Sequence, residues 1–387
     1  MNDPRFAPGQ TSGNFIRHFG SVLAMVMALR PVRPVYCLKP GELTAAAARF
    51  GAWFPGDVLY AVKCNPHPFI LRGLYEAGVA GFDAASLSEI ADARMVHPDA
   101  VVGLLNPVKP RGDIRDAYRF HGVRLFVVDH ASEFEKMVDE LGNVVDVTVL
   151  VRFATAPANA LYELSDKFGA TPEEAARLLA AVAGQGWAAG IAFHVGSQCK
   201  TPTAYTTALI EAGAIARKSG VALACVDVGG GFPADYLEEI PPPLQTYFDA
   251  ISDGAQQAGL SCRLFCEPGR ALVASACALV VQVQLRKGDD LYINDGVYHS
   301  LSEMVTGGLR YPVRLIRLEG GVAAETCAFR MFGPTCDSTD VLPTPFELPH
   351  DVREGDWIEI GQMGAYSNAV STQFNGVWPN DYVTVDG

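Results

Sequence analysis

The sequence predicts an α/β protein, a (β/α)8 TIM-like barrel over residues 38–275 with a second, mostly β domain made of residues 1–37 and 276–387. Two observations carry this reading. From about residue 43 to 270, helix-period stretches alternate with short apolar runs, and after 270 the texture changes to short alternating strands punctuated by Gly and Asp. Strand, helix, strand at this spacing means parallel strands joined by helical crossovers, and about eight such units fit a closed barrel better than an open sheet.

Element by element, LTAAAARFGAWF precedes VLYAV, ILRGLYEAG precedes GFDAA, SLSEIADARMV precedes VVGLL, and FEKMVDELG precedes VTVLVRF. PEEAARLLAAVAGQG then leads to AAGIAFHV, TALIEAGAIARKSG to ALACVDVGGG, and DAISDGAQQAG to SCRLFCEPG. PPP at 241–243 reads as a rigid connector in the last crossover. Beyond it, VVQVQLRKGDDLYIND, PVRLIRLEG, ETCAFRMFGP and DWIEIGQMGAY have the alternation of a β domain. No internal repeat or low-complexity tract interrupts the pattern.

The bulk numbers suit a two-domain globular protein: 387 residues, 49% hydrophobic and 19% charged. A formal charge of −13 disfavours general attraction to nucleic acid or an anionic membrane, so an anionic ligand would need local groups. ALVASACALVVQV, 271–283, is too short to span a membrane, and its β-branched content reads as a buried strand. SVLAMVMAL near the start follows a Gly- and Pro-containing leader and lacks a cleavage pattern, so a cytoplasmic protein is expected. Nine scattered cysteines, with no CxxC pair, support neither a disulfide framework nor a zinc site, and no metal is expected.

In such a barrel the active site lies at the C-terminal ends of the strands. Reading the residues after each apolar run gives Lys63, Asp83, Asn106, Arg152, His194, Gly229, Gly230, Gly231 and Glu267. Lys63, in YAVKCNP, is either an ordinary strand-end lysine or an amine placed to attack a carbonyl. Three glycines in DVGGGF let backbone N–H groups approach a phosphate, although they match neither the dinucleotide fingerprint nor the nucleotide P-loop. EPGR adds Glu267 and Arg270 at the next strand end, and Arg270 is a natural second phosphate ligand. Singly, each of these has a structural reading: a tight turn, a solvated ion pair, a core histidine. Their concentration at successive strand ends of one barrel favours a site.

At this point the chain resembles the pyridoxal-phosphate-dependent decarboxylases of alanine-racemase-like fold, which include ornithine, lysine and diaminopimelate decarboxylases. The matching stretches run in the family's order from about residue 33 to the end: YAVKCNP, GFDAASLSEI, LVRFAT, KFGA, FHVGSQ, DVGGGFP, EPGR, NDGVY, FGPTCDSTD and GAYSNAVSTQFNG. The resemblance implies pyridoxal 5'-phosphate as cofactor, with its aldehyde held by Lys63. It implies that His194 stacks on the ring, Glu267 pairs with the ring nitrogen, and Ser197, Gly229 to Gly231, Gly269, Arg270 and Tyr366 hold the phosphate. Asp83, Glu89 and Arg152 match further positions near the cofactor.

The same resemblance implies decarboxylation of a basic diamino acid, L-ornithine to putrescine in polyamine biosynthesis being the first expectation. Lysine to cadaverine or a dual activity is the alternative, with diaminopimelate or arginine behind them. Cys336 would return a proton to Cα and Asp337 would bind the distal ammonium, both from the partner subunit of a homodimer. Phe374 and Glu303 complete the expected substrate contacts, and Lys167 is expected to pair with Asp340 of the partner subunit. Eukaryotic ornithine decarboxylases carry an aspartate on the segment after NDGVY, where this chain has glycine; Glu303 is the only carboxylate there, and His299 replaces a common glycine. A racemase would need a second base where Cys336 stands. A non-catalytic, partner-binding homologue would be expected to lose the lysine or the phosphate ligands, and all are present.

Overall fold

The computed structural model describes residues 16–157, 160–162, 166–237 and 240–386. Eight parallel strands, Asp57–Ala61, Gly81–Ala84, Val101–Leu104, Leu125–Val128, Thr148–Arg152, Ala188–Ala192, Cys225–Asp227 and Arg263–Cys266, form a closed barrel in which the last strand pairs with the first. The alternation of apolar runs passes over one of them. RLFVVD supplies the strand Leu125–Val128, preceded by the helix Arg111–His121. That helix is strongly polar on one side, with only Ile114 and Ala117 of its residues buried, which hides it from a reading by apolar content.

Alternation along each strand divides the core. Leu59, Leu125, Val127, Leu150 and Phe265 pack together as one cluster, while Val58, Tyr60, Phe82, Val102, Phe126 and Val149 belong to the larger cluster that includes the helices. The crossovers carry conventional helix signals. Thr171 and Glu174 make a reciprocal capping box ahead of Pro172–Gly184, and Pro243, the last of the three prolines, caps Leu244–Ala258.

The second unit is a nine-stranded, mixed sheet. Val35–Leu38 lies between Asp381–Val385 and Cys277–Lys287, so segments from both ends of the chain share one sheet. Trp357–Ile360 pairs with Cys277–Lys287 on one side and with Val313–Ile316 on the other. SVLAMVMAL forms the helix Val22–Leu29, whose Val22, Met25 and Val26 pack against Val35, Cys37, Val280 and Val383. The leader, residues 1–15, lies outside the described residues.

The run ALVASACALVVQV is a correction to the expectation of one strand. It opens with a helical turn, Arg270–Val273, and the strand begins at Cys277. A fully buried apolar run has no periodicity to separate the two conformations. All nine cysteines are free thiols, and among the described residues no helix is long and apolar enough to cross a membrane.

Candidate active site

A cavity of about 650 Å³ opens at the C-terminal mouth of the barrel. Lys63, Asn106, Arg152, His194, Ser197, Gly230, Gly231, Glu267, Gly269 and Arg270 line it from the barrel, and Ser302, Glu303, Thr306, Tyr366 and Val370 line it from the β-domain side. The strand Asp57–Ala61 ends in a single 3₁₀ turn, Val62–Cys64, and this turn puts Lys63 on the cavity wall. Asn65 explains part of the CNP that follows. Its side chain donates to Gly364 O at 2.8 Å and tethers the turn to the β domain.

Lys63 Nζ lies 3.1 Å from Asp83 Oδ2, with the lysine side chain half-exposed to the cavity and the aspartate buried. The Asp83 carboxylate raises the Lys63 ammonium above its ordinary pKa, outweighing the opposing cost of burial. Glu89 serves the same corner indirectly. Its carboxylate accepts from Ala85 N at 2.7 Å while Ser86 Oγ accepts from Glu89 N, fixing the turn just after Asp83.

Two further acids stand at neighbouring strand ends, Glu267 in the cavity lining and Asp227 buried behind it. Burial, then Asp227 and Asp83, push the Glu267 carboxyl well above the usual range. Asp227, fully buried at the end of its strand, is pushed up to about 6 by burial. His194 is held neutral, its pKa lowered well below the ordinary value first by burial and then by Arg152 and Lys63. Its Nδ1 accepts from Gly196 N at 3.0 Å, so in the neutral ring the proton sits on Nε2.

The glycines form a tightly fitted concavity. Gly229 and Gly231 have φ of +68° and +100°, and a Cβ at either would come within 2.4 Å of a backbone oxygen, that of Phe193 or Gly196. Gly230 is held by Tyr205, whose hydroxyl donates to Gly230 O at 2.7 Å. Tyr366 has φ of +51°, a conformation costly for a side chain this size, and its ring lies 5.0 Å from the Arg270 guanidinium.

Arg270 is the cation of this end of the cavity, and it is already engaged. Nη1 donates to Glu303 Oε2 at 2.8 Å and to Tyr236 Oη at 2.8 Å, and Nη2 donates to Glu303 Oε1 at 2.7 Å. Its Nε, also buried, has no partner. Glu303 therefore lines the cavity as the sequence suggests, but both of its oxygens face a barrel arginine.

Cys336, Asp337 and Phe374 do not line this cavity. They form a separate group near the surface: Asn375 Nδ2 donates to Cys336 Sγ at 3.3 Å, Tyr298 Oη donates to Asp337 at 2.9 Å, and the Tyr298 and Phe374 rings lie 4.6 Å apart. His299 is fully buried beneath, with Nε2 3.2 Å from Phe374 O. Lys167 reaches the cavity and sits over the Phe168 ring. Asp340, the residue expected to pair with Lys167 of a partner subunit, is braced within its own chain. It is only 2% exposed, and its carboxylate accepts from Val297 N, Thr335 N and Thr335 Oγ of its own chain. A carboxylate in a turn with three local donors is satisfied where it stands, and here it shapes the loop that carries Cys336.

Two contributors escaped the sequence reading. Lys109, buried, donates to Asn106 O and Val127 O and lies 3.1 Å from Glu133, pinning the loop that brings Asn106 to the cavity; burial lowers its ammonium to about 8. Nothing in VKPRG distinguishes it from a surface lysine. Asp227, by contrast, is the last residue of its strand, two before the first glycine, the position from which the other candidates were chosen.

Comparison with known proteins gives this site its chemistry. Residues 41–274 match the family described as "Pyridoxal-dependent decarboxylase, pyridoxal binding domain". Ornithine decarboxylase of Schizosaccharomyces pombe is 33% identical over 84% of this chain and 77% of its own. Antizyme inhibitor 2 of Xenopus laevis is 33% identical over 82% of this chain and 73% of its own. A lysine/ornithine decarboxylase from Vibrio vulnificus, solved with putrescine, superposes with a TM-score of 0.81 at 28% identity, covering 95% of this chain and 99% of that one. With a lysine-bearing cavity at the barrel mouth and a family match across the barrel, the chain belongs to the pyridoxal-phosphate-dependent decarboxylases and is an enzyme of the ornithine/lysine decarboxylase type.

Proposed function

We propose that the protein decarboxylates L-ornithine to putrescine, with L-lysine as an accompanying substrate, in cytoplasmic polyamine synthesis, and that it works as a homodimer with shared sites. The observation that carries the reading is one cavity holding Lys63 beside Asp83, with Glu267, a neutral His194 and a close-fitting glycine concavity next to Arg270. The residues fit pyridoxal phosphate. An orphaned, buried Arg270 N–H and glycines that tolerate no Cβ are what a phosphate cradle requires.

In this proposal Gly229, Gly230, Gly231, Ser197, Gly269, Arg270 and Tyr366 hold the phosphate, and His194 packs on the ring. Asp83 and Arg152 lie near the ring, Glu267 faces its nitrogen, and Lys63 supplies the amine that holds the aldehyde. When bound, pyridoxal phosphate supplies the electron sink for the pair left at Cα as CO2 departs. Lys63 must first lose the proton that Asp83 helps to hold. Glu267 presents its carboxyl to the ring nitrogen, and Cys336 of the partner subunit returns a proton to Cα. The division at 38 and 275, with the β domain completing a neighbour's site, belongs to the same proposal.

Asp337 of the partner subunit is left as the carboxylate for the distal ammonium, because both Glu303 oxygens are taken by Arg270. One fixed anion at the far end discriminates chain length less sharply than two, which favours acceptance of lysine beside ornithine. The test is CO2 release by the purified enzyme from a panel of L- and D-ornithine, lysine, arginine and diaminopimelate. Turnover of L-ornithine and L-lysine within about tenfold of each other is expected; activity confined to arginine or diaminopimelate would overturn the reading.

A further inference from the structure

Asp227 does not line the cavity, yet it is fully buried behind the wall and next to the cradle glycines. One of its oxygens, Oδ1, accepts from Gly229 N at 2.8 Å, whereas Oδ2 has no donor. Its carboxyl lies within hydrogen-bond reach of that of Glu267, on the neighbouring barrel strand's end. The backbone holds the two together, since Glu267 N donates to Gly229 O at 2.8 Å and Val228 N to Phe265 O at 2.9 Å. Two carboxyl groups this close, one fully buried with an oxygen lacking any donor and the other half-buried on the cavity wall, strongly disfavour ionising together. A proton between them satisfies the orphaned oxygen and removes one charge.

We propose that Asp227 and Glu267 form a carboxyl dyad that holds a single proton in the cofactor-free protein, with Asp227 as a positioning residue for Glu267. The charged groups around the dyad are consistent with one proton. Asp83 is a third acid that opposes full ionisation, while Lys63 and Arg152 stabilise one carboxylate. Cys225 and Cys266 are thiols whose ionisation burial suppresses, and His194 is neutral, so none of these supplies a counter-charge. The consequence for Glu267 rests on the cofactor reading above: the wall proposed to face the ring nitrogen already holds a proton, so none need be drawn from bulk water. The dyad itself does not rest on that reading.

The test therefore uses the cofactor-free protein. Infrared spectroscopy at neutral pH should show a carboxylic-acid carbonyl band above the amide envelope. Asp227→Asn keeps an acceptor for Gly229 N and gives Glu267 an amide donor, so Glu267 ionises and that band component disappears. Glu267→Gln does the same for Asp227 and should remove the same component; either variant suffices if the other fails to fold. The pH dependence of stability gives a second readout. The dyad's acids titrate higher folded than unfolded, so their protonation favours the folded state at low pH, and the advantage is lost as pH rises through about 6 and beyond. The melting temperature of the wild type relative to Asp227→Asn should thus fall between pH 5 and 8. A carboxylic-acid band unchanged in both variants, or parallel pH–stability curves, would overturn the dyad. Failure of the cofactor reading would instead appear as intact dyad signals in a protein that binds no pyridoxal phosphate.

Discussion

Lys63 shows how much one contact can alter a residue's chemistry. Its Asp83 partner at 3.1 Å makes it a firmer ammonium than free lysine, whereas attack on an aldehyde needs the neutral amine. Asp83 is therefore suited to hold and orient the resting side chain rather than to activate it. Lys63→Ala should bind pyridoxal phosphate without the fixed covalent adduct that borohydride reduction traps in the wild type; mass spectrometry of the reduced protein checks this, and an adduct surviving in the variant would remove Lys63 from its role. Glu267→Gln separates shape from charge at the opposite wall. It should lower kcat by about a hundredfold or more while cofactor affinity falls much less, because the charge matters to electrons developing in the ring and little to the phosphate grip. Equal kcat in the two proteins would show that Glu267 does not face the ring nitrogen.

At the scale of elements, the strand ends were legible and the ties between them were not. Lys63, Arg152, His194 and Glu267 could be read from position alone, because barrel topology sends the residue after each strand to one face. The strand Leu125–Val128 was missed since a four-residue run beside a polar helix gives little periodicity to detect. The Arg270–Glu303 ion pair joins two short helices, Arg270–Val273 and Ser302–Thr306, and neither EPGR nor SLSEM carries a trace of the other. Asp340 illustrates the same limit in a single loop. The family motif points it toward a neighbouring subunit, and nothing in FGPTCDSTD announces the three donors of its own chain that also hold it. Asp340→Asn places an amide group among those donors, which should cost about 1–3 kcal/mol and loosen the Gly333–Asp340 loop. Thermal melting should fall while cofactor binding by the barrel stays near wild type, and kcat should drop with the displaced Cys336. A variant with unchanged melting and kcat would show that the carboxylate does not shape the loop.

On the scale of the whole molecule, the chain separates the two halves of its proposed chemistry. Lys63 and the cradle line the cavity, whereas Cys336, exposed, and Asp337, half-buried, stand elsewhere on the same chain. Val370, Phe374 and Trp378 are also exposed, and they lie on one stretch of the β domain. Exposed aromatic and aliphatic side chains beside an incomplete site are suited to burial against a second copy. A two-fold dimer would bring Cys336 and Asp337 of each subunit to the other's Lys63, making two equivalent composite sites. Mixing experiments can detect that arrangement without any structure of the dimer. Lys63→Ala and Cys336→Ala should each be inactive or nearly so alone. After subunit exchange between equal amounts, about half of the dimers are mixed, and each mixed dimer has one site with both lesions and one with neither. Activity should therefore rise to about a quarter of wild type by this counting. Exchange must be followed independently, for instance by mass spectrometry of differently labelled subunits. No recovery in a sample proven to contain mixed dimers would place Lys63 and Cys336 in the same chain's site or remove Cys336 from the chemistry. Recovery near one quarter requires two chains to build each site.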